Sequence, residues 1–528
     1  MGVEVYHEES KHHPHRFAPS PGRLDWRNQP EPFRFWEGAP TVELPLLPDP
    51  EHPYEALYLG APEERVTLET LSKFLELALG ISAWKEVPGS RWAVRMNPSS
   101  GNLHPTEAHL VIPGLAGLSG VYHYNPYLHA LEKRAELPDE LVQALKAFYG
   151  PETFLVVLTS VPWREAWKYG VRALRYCLLD AGHALGSLRF SAALKGWRVR
   201  YLSAPSDEEL EALLGFDRVS WPVGQEEFVQ MGLAVYPASQ PEPPPDLPAE
   251  IVEAFRRLPF YGRPSVLSRE VVLWEEIYRA LKLIRKPRTR PERWLFRDDE
   301  PAFLAPSPLT AEQIIRRRRS GHLYDPNASV PPEVFLNALD KTLPRSRYAP
   351  FDAQVGVYSN LLLMLHRVEG FPKGLYAFVR LPETLELLKE KLSERFLWKR
   401  VTKELPLYLL AEGDARELAR FVSCDQEIAS DGAFLTVFLA LFGPLVRAEP
   451  WRYRHLHWEA GLTGQVLYLE ATAHLFNATG IGCFFDDALH EAVGLKDDTF
   501  QDLYHLTFGK AYEDPRLKTL PPYYHLNR

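Results

Sequence analysis

The spacing of apolar side chains along the first half of the chain predicts a mixture of helices and strands. Apolar residues recur every three to four positions from Thr67 until Gly80, which is the pattern of an amphipathic helix. Short, uninterrupted apolar runs further along are typical of buried strands. This order predicts an α+β unit with a central antiparallel or mixed sheet flanked by helices. The predicted elements are helices at 67–79, 139–148 and 172–194, and strands at 108–112, 121–124, 153–159 and 228–236.

The same order of elements returns in the second half of the chain, which predicts a duplicated unit. Each match is short, but the matches are collinear. A period this long is not that of a solenoid, which is built from many short repeats. Two copies in one chain instead indicate a fused dimer, whose halves pair about a pseudo-two-fold axis. The matched segments are 71–79 with 334–339, 120–124 with 374–378, 131–132 with 385–386, 153–159 with 407–411, 180–182 with 459–461 and 231–236 with 508–512.

Proline-rich and irregular stretches predict where the two units begin and end. Residues 237–248 contain a run of prolines and should form a stiff, extended linker. We therefore divide the chain into an N-terminal arm, a first domain, a linker with connector helices, and a second domain. These are residues 1–60, 61–236, 237–304 and 305–528.

The most apolar segment, Gly432–Val446, is predicted to be a buried helix. It contains Pro444 and is too short to cross a bilayer. The polar, acidic start Met1–Tyr6 does not resemble a signal peptide. We therefore expect no membrane association and a cytoplasmic location.

Composition narrows the classes of protein and site. The chain has 528 residues, too many for a single hydrophobic core, and its net charge of −9 argues against a nucleic-acid partner. Its three cysteines lie far apart, which excludes a disulfide framework and a cysteine-rich zinc site. The histidines at 12, 13 and 15 lack nearby carboxylate or cysteine ligands. No metal site is therefore predicted.

The segment Asn97–Pro105 is the first candidate site. Pro98 and Gly101 favour a tight turn, and short polar side chains stand beside exposed backbone groups. Such a loop suits a flat, polar ligand, although an ordinary turn before a strand has the same composition.

The run Arg316–Arg319, followed by Ser320, is the second candidate site. The preceding Ser307–Gln313 looks like a capped helix start, which places the arginines at the end of a short helix. Arginine together with a hydroxyl group in a turn suits a phosphate monoester. A solvated basic face is the alternative.

The third candidate is the Gly480-Ile481-Gly482 segment, which we predict to be the turn that ends an apolar helix starting near Gly464. Two glycines let the backbone approach a ligand closely. A simple helix stop is the alternative.

These segments together resemble the nitroreductase family of FMN-dependent oxidoreductases. The closer likeness is to its SagB-type branch, which includes thiazoline and oxazoline dehydrogenases. It rests on the Arg95–Glu107 stretch, Arg175-Tyr176 with Asp180–His183, Arg318–Ser320, the Gly480–Gly482 turn and the terminal Phe508–Lys518. The resemblance implies two paired units with FMN in the cleft between them.

The resemblance also implies roles for individual residues. Arg318, Arg319 and Ser320 would hold the FMN phosphate, with Arg516 or Lys518 closing the site. Ser99, Ser100 and Asn102 would contact the flavin or its ribityl chain from the first half. The backbone of Ile481, Gly482 and Cys483 would donate to the N5 and O4 region. His322 departs from the lysine or arginine that is usual at this position of the family.

Lys168 and Tyr169 align with a Lys-Tyr pair of the azole dehydrogenases, which could remove a proton next to the leaving hydride. An ordinary surface pair at a helix start is the alternative.

Asp180 and His183 are interpreted as buried polar groups that brace the interface. The second half has Pro344–Pro350 where a second flavin loop would fall. The first half lacks an Arg-Arg-Ser segment at the matching place, unless the arm at Arg16 to Arg27 substitutes for it. One complete FMN site per chain is therefore predicted.

The function implied is FMN-dependent hydride transfer, as a dehydrogenase or a reductase, on a small or peptidyl substrate. No dinucleotide-binding glycine motif follows a strand, so no Rossmann domain is predicted. NAD(P)H could therefore act as an electron donor that binds only transiently. A non-catalytic flavin- or nucleotide-binding protein is the alternative. The partners expected are a pseudo-dimer within one chain and the substrate, and further homo-oligomerisation stays open.

Overall fold

A computed structural model describes all residues, 1–528, and confirms the α+β fold. The helices are α1 Val3–Glu9, α2 Ala56–Leu59, α3 Leu68–Leu79, α4 Asp139–Tyr149, α5 Pro162–Tyr169, α6 Ala173–Ala193, α7 Asp207–Leu214, α8 Ala249–Arg256, α9 Glu275–Leu283, α10 Ala311–Arg317, α11 Pro332–Lys341, α12 Leu385–Lys391, α13 Arg416–Val422, α14 Ile428–Asp431, α15 Gly443–Ala448, α16 Arg452–Ala473 and α17 Asp486–Ala492. The strands are β1 Trp36–Glu37, β2 Thr41–Glu43, β3 Ile81–Val87, β4 Ser90–Arg95, β5 Thr106–Leu115, β6 Leu118–Asn125, β7 Ala130–Glu136, β8 Phe154–Ser160, β9 Trp197–Tyr201, β10 Phe228–Pro237, β11 Arg263–Pro264, β12 Ser359–Leu365, β13 Gly374–Phe378, β14 Lys399–Arg400, β15 Leu407–Glu412, β16 Phe434–Leu441, β17 Asn477–Ile481, β18 Phe500–Gly509 and β19 Lys518–Leu520.

Two seven-stranded antiparallel sheets form the centres of the two halves. Their strand orders are β2-β7-β6-β5-β8-β10-β9 and β14-β15-β13-β12-β16-β18-β17. Position by position, the second order repeats the topology of the first, with β12 in the place of β5 and β17 in the place of β9. The two halves therefore share one sheet topology, which is consistent with the predicted duplication of an α+β unit.

The apolar segment 432–446 is a strand and a short helix, so the prediction of a buried helix was wrong. Residues Phe434–Leu441 form β16, which pairs with β12 on one side and β18 on the other. A strand that is buried on both faces has a continuous apolar sequence, which periodicity alone does not distinguish from a buried helix. None of the helices combines the length and apolar character needed to span a bilayer.

Two of the sequence matches between the halves were also wrong. Residues 407–411 lie in β15, which takes the place of β7, whereas β16 is the counterpart of β8. Residues 385–386 begin α12, a helix that the first half lacks at this point. Short β-branched and leucine-rich runs resemble one another in sequence, and only strand pairing shows which of them correspond.

Helix α6 of the first half packs most extensively against α16 of the second half. At the crossing, a Cβ added to Gly182 would stand 2.1 Å from the Trp458 carbonyl oxygen, and one added to Gly461 would stand 2.2 Å from the Leu179 carbonyl oxygen. The two backbones therefore touch at reciprocal glycines. These are the glycines of the matched segments 180–182 and 459–461.

Gly182→Ala should lower the free energy of unfolding by roughly 2 to 4 kcal/mol, because the new methyl group meets a backbone carbonyl that cannot move aside. Gly464→Ala in α16 is the control. Its Cβ would meet the His183 and Tyr504 rings at 3.1 Å, and these side chains need to give way by only a few tenths of an ångström. Chemical denaturation measures both variants, and equal losses would contradict the reciprocal contact.

The chain ends cross between the halves. Helix α1 packs on the second half, where the His7 ring bonds the Tyr453 hydroxyl. At the other terminus, β19 joins β3 and β4 in a three-stranded sheet against the first half. In the predicted arm, β2 pairs with β7 at the edge of the first sheet, while 249–304 contains α8 and α9. The domain boundaries proposed from sequence stay a prediction.

A buried charged network holds the strands that follow the Asn97–Pro105 loop. Glu107 at the start of β5 accepts hydrogen bonds from Arg164 of α5 and from the His123 ring. The other His123 nitrogen bonds Glu132 at 2.7 Å. Burial alone lowers the pKa of His123, but these two carboxylates outweigh it and raise that pKa to about 9.

Because the folded-state pKa of His123 lies above its unfolded value, the proton on His123 stabilises the fold fully below about pH 6.5 and loses this effect as the pH rises through 9. His123→Gln should therefore reduce the free energy of unfolding by about 3 kcal/mol at pH 6, since two buried carboxylates lose a cation. Unfolding titrations at pH 6, 8 and 10 should show the difference from the parent protein shrinking. A pH-independent difference would contradict the charged state of His123.

Candidate functional site

The Asn97–Pro105 loop has a tight conformation that its sequence favours. Gly101, Asn102 and His104 have φ values of 65°, 56° and 52°, in the left-handed region that glycine and asparagine tolerate best. The Asn102 side chain donates to the Ala93 carbonyl and bonds the His104 ring, so it shapes the loop itself. Ser99, Ser100 and Asn102 are half-buried and Gly101 is exposed.

Asp180 of α6 holds this loop in place through hydrogen bonds to its carboxylate. The Ser99 hydroxyl donates to Asp180 Oδ2 at 2.7 Å, and the Ser100 backbone N–H and hydroxyl both donate to Oδ1 at 3.2 Å. Burial raises the pKa of Asp180 to about 7, against the effect of these hydrogen bonds. Burial and the neighbouring Asp180 raise the pKa of Glu165 well above its ordinary value. The two carboxyl groups therefore hold at least one proton at neutral pH.

Asp180→Ala should free the loop, because it removes the acceptor of three hydrogen bonds. Amide hydrogen exchange of the peptide covering 97–105 should speed up at least severalfold. Asp180→Asn keeps one acceptor oxygen of the same shape and should change exchange much less. Unchanged exchange in the alanine variant would show that the loop conformation does not depend on Asp180.

His183, in the same helix, faces the other half of the chain instead. Its Nδ1 bonds Gln465 at 2.8 Å and its Nε2 bonds the Tyr504 hydroxyl at 2.9 Å. Burial lowers the pKa of His183 to about 4, so the ring is neutral. His183 thus braces the interface as predicted, whereas Asp180 supports the loop.

Arg318, which directly follows α10 in the second half, contacts the residues that precede the Asn97–Pro105 loop. Thr310 caps α10 in a capping box with Gln313, and Arg317 is the last helical residue, as predicted. Arg318 is buried and donates from Nε to the Met96 carbonyl at 3.1 Å and from an Nη to the Arg95 carbonyl at 2.9 Å. Arg318 thus connects the second candidate segment to the residues that immediately precede the first, more than 200 positions away in sequence.

Arg318 and Arg319 differ from most buried arginines of this protein in having no carboxylate partner. Arg316, two positions earlier, pairs with both Asp49 and Glu76. Burial lowers the pKa of Arg318, and burial followed by the charge of Arg318 lowers the pKa of Arg319 to about 9. Uncompensated charge in a partly buried position is costly. It is typical of a site that binds an anion.

Lys85, on β3, is a third cation at this position that the sequence analysis missed. Burial and then the charge of Arg319 lower its pKa, with Glu513 acting in the opposite direction. Lys85 gave no signal in the sequence, because it lies in an ordinary strand. We call Lys85, Arg318 and Arg319 the cationic cluster.

Tyr468 of α16 links the second and third candidate segments. Its hydroxyl bonds the Ser320 hydroxyl at 2.8 Å and accepts from the Gly480 backbone N–H at 2.7 Å. Residues 477–481 form the edge strand β17, and α16 ends at Ala473, having begun at Arg452. The prediction of a helix starting near Gly464 and ending in a Gly-x-Gly turn was therefore wrong. The sequence did not reveal the true start of α16, because its first turns are largely polar although they are buried.

Arg172 of the first half orients the peptide that follows β17. Its Nε and an Nη donate to the Gly482 carbonyl at 3.0 and 2.8 Å. Since the peptide is trans, the Cys483 N–H points away from Arg172. The backbone N–H groups of Gly482 and Cys483 make no hydrogen bond within the protein. Arg172 is therefore a positioning residue that the sequence analysis missed.

Two tyrosines lie between the loop of the first half and the Gly482 backbone of the second. The Tyr169 hydroxyl stands 2.6 Å from the position of a Cβ on Gly101, and the Tyr176 ring stands 2.4 Å from that of Gly482. The two rings are in edge contact, with centroids 4.6 Å apart. Lys168 lies over the Tyr169 ring at 5.4 Å. Both predicted catalytic residues are half-buried at the C-terminal end of α5, not at a helix start.

The C-terminal basic residues do not reach the cationic cluster. Arg516 pairs with Asp514 and its side chain is 84% exposed. Lys518 lies on β19 next to Glu86 and is also largely exposed. His322 is exposed as well. Of the predicted phosphate contacts, the structure brings Arg318 against the residues just before the loop, with Arg319 and Ser320 next to it in sequence, and leaves Arg516 and Lys518 outside.

The topologically equivalent position in the other half is a polar cavity of about 240 Å³. The segment before β12 meets β9 and β10 here, and each arginine has an acidic partner. The two arginines that line the cavity are Arg198, which lies 3.9 Å from Asp352, and Arg293, which pairs with Glu242. Outside the lining, Arg189 also binds Asp352 through two hydrogen bonds of 2.8 Å. This position therefore lacks the excess positive charge of the cationic cluster. Its lining includes Arg198, Tyr236, Gln240, Glu242, Asp352 and Gln354.

Comparison with known proteins agrees with this geometry at the level of fold. Residues 61–233 match the sequence model of the nitroreductase family. A crystal structure described as a candidate nitroreductase from Anabaena variabilis is 22% identical, covers 97% of this chain and 99% of its own, and superposes with a TM-score of 0.69. The chain therefore has the fold of that protein over nearly its whole length, and no curated protein matches it in sequence.

A second similar structure is a chain of the Escherichia coli microcin synthetase McbBCD complex with bound truncated pro-MccB17. It is 20% identical, covering 36% of this chain and 70% of its own, with a TM-score of 0.26. That superposition is too weak to bear on function.

Proposed function

We propose that the protein is an FMN-dependent oxidoreductase of the nitroreductase type. The observation that carries this proposal is the cationic cluster, in which Arg318 and Arg319 lack carboxylate partners beside the glycine-containing loop of the other half. A phosphate monoester would neutralise this charge through charge-assisted hydrogen bonds. The nitroreductase-family match of residues 61–233 agrees with this assignment.

The residues present fit the remaining parts of FMN. Arg319 and Ser320, with Lys85, would hold the phosphate, while Arg318 ties the cluster to the Arg95 and Met96 carbonyls just before the loop. The free backbone N–H groups of Gly482 and Cys483 would donate to the ring system. Ser99 and Ser100 would line it from the first half. Asn102, whose side chain is bound within the loop, would contribute shape only.

When bound, FMN supplies hydride transfer at N5. The chain's own residues position the reactants and hold protons. Lys168 and Tyr169 are half-buried, with the Tyr169 hydroxyl beside Gly101, and are proposed to contact the substrate and take a proton from it. Asp180 and Glu165 hold a proton beneath Ser99, without access to the substrate themselves.

We further propose one FMN site per chain, because the equivalent position around Asp352 has its arginines neutralised. The substrate would be a small molecule or a peptide, in line with the SagB-type resemblance of Arg95–Glu107 and Asp180–His183. NAD(P)H would bind only transiently, and the protein would act in the cytoplasm.

Arg319→Ala should reduce FMN affinity at least about tenfold, since an arginine–phosphate pair contributes more than about 1.4 kcal/mol. Arg318→Ala should also reduce it at least about tenfold, because it removes a second buried positive charge and the hydrogen bonds that fix the cluster to the Arg95 and Met96 carbonyls. Arg317→Ala is the matched control, because Arg317 is exposed and forms no salt bridge. Equilibrium titration of the apoprotein with FMN, followed by flavin fluorescence, measures all three. Equal affinity in all variants would refute the phosphate assignment.

Anaerobic addition of NADH or NADPH to the FMN-loaded protein separates the enzyme from a flavin-binding protein without redox activity. Bleaching of the flavin, followed by reoxidation with a nitroaromatic or quinone acceptor, supports the oxidoreductase. FMN that binds tightly but exchanges no electrons with any donor would favour the non-catalytic alternative.

A further inference from the structure

Two cysteines that are far apart in sequence lie side by side next to the candidate site. Cys424 lies between α13 and α14, and Cys483 directly follows Gly482. Their Sγ atoms are 2.6 Å apart, and both thiols are free and half-buried. The third cysteine, Cys177, is fully buried within α6. The pair therefore combines proximity with access from outside.

The backbone that carries Cys424 is strained and held in place. Cys424 and Asp425 have φ values of 57° and 56°, a conformation that non-glycine residues rarely adopt twice in succession. The Phe485 N–H donates to the Val422 carbonyl at 2.8 Å, and the Gln426 side chain donates to the Cys483 carbonyl at 3.1 Å. These two bonds flank the cysteines and hold their side chains together.

Positive charge and an imidazole surround Cys483. His12 Nδ1 accepts from the Ala18 N–H at 2.9 Å, so the neutral ring carries its proton on Nε2. A hydrogen bond with Cys424 and, against the effect of burial, the nearby His12 and Arg172 lower the pKa of Cys483 to about 5. The same contact and burial raise the pKa of Cys424. Cys483 is thus the thiolate of the pair.

We infer that Cys424 and Cys483 form a redox-active dithiol that undergoes exchange with low-molecular-weight disulfides. The inference rests on the position of the two thiols, the held backbone around them and the basic groups beside Cys483. It does not depend on the proposed flavin. Closing a bond of about 2.05 Å requires a shift of roughly half an ångström, so the fold need not rearrange.

The exchange is balanced in two steps. The Cys483 thiolate attacks one sulfur of the external disulfide, forming a mixed disulfide and releasing one external thiolate. The Cys424 thiol then loses its proton and attacks Cys483 Sγ. The second external thiolate leaves, and the two released thiolates take up protons from Cys424 and from solvent. Two protein thiols are oxidised, and one external disulfide is reduced to two thiols.

The test uses the full-length protein, reduced and then incubated with oxidised glutathione at pH 7. Alkylation and peptide mass spectrometry then locate the remaining thiols. We expect a Cys424–Cys483 cross-link within one chain, formed about tenfold faster or more than any modification of Cys177. Dithiothreitol should reverse it.

Variants separate the roles of the two thiols. Cys424→Ser should accumulate a glutathione mixed disulfide on Cys483, because the second step is blocked. Cys483→Ser should leave Cys424 largely unmodified, and Cys177→Ser is the control that should behave like the parent protein. Unfolding midpoints check that each variant is folded. Persistence of all three free thiols in the parent protein, or cross-links between chains only, would overturn the inference.

Discussion

The contact on which the rest of the structure depends is the crossing of α6 and α16 at Gly182 and Gly461. Each glycine leaves room for a carbonyl of the other helix, so the two halves meet backbone to backbone. A side chain at either position would push the helices apart. Because Asp180 and Arg172 extend from or precede α6, and Tyr468 extends from α16, this spacing also determines how the two sides of the candidate site face each other.

The candidate site is a product of both halves and of their asymmetry. The first half supplies a polar loop, Asp180 beneath it, and the arginine that orients the Gly482 peptide. The second half supplies Arg318 and Arg319 without acidic partners. At the equivalent position, Asp352 pairs with Arg189 and Arg198 and Glu242 pairs with Arg293, so the arginines there have acidic partners. Two copies of one fold can therefore provide one anion-binding cleft, because charge compensation differs between them.

The Cys424–Cys483 pair gives the region around Gly482 a second proposed chemistry, thiol–disulfide exchange. Cys483 is joined to Gly482 by the peptide that Arg172 orients, so the basic residues serve both features. The N-terminal arm contributes as well, since His12 lies beside Cys483. The segment that the sequence predicted to be an N-terminal arm therefore lies beside the candidate site.

Much of the fold followed from local pattern, because helix caps, apolar periodicity and glycines act over a few residues. Thr67 and Thr310 cap helices as their sequences indicate, and the loop at Gly101 is the tight turn that its composition favours. The Arg318–Ser320 segment was recognisable as well, because it is a run of consecutive residues. Tertiary structure decided what depends on distant partners. Strand 434–441 resembled a helix until its neighbours on both sides were known. Whether an arginine is free or neutralised, and whether two cysteines touch, depends on residues dozens to hundreds of positions away, and no local pattern records that.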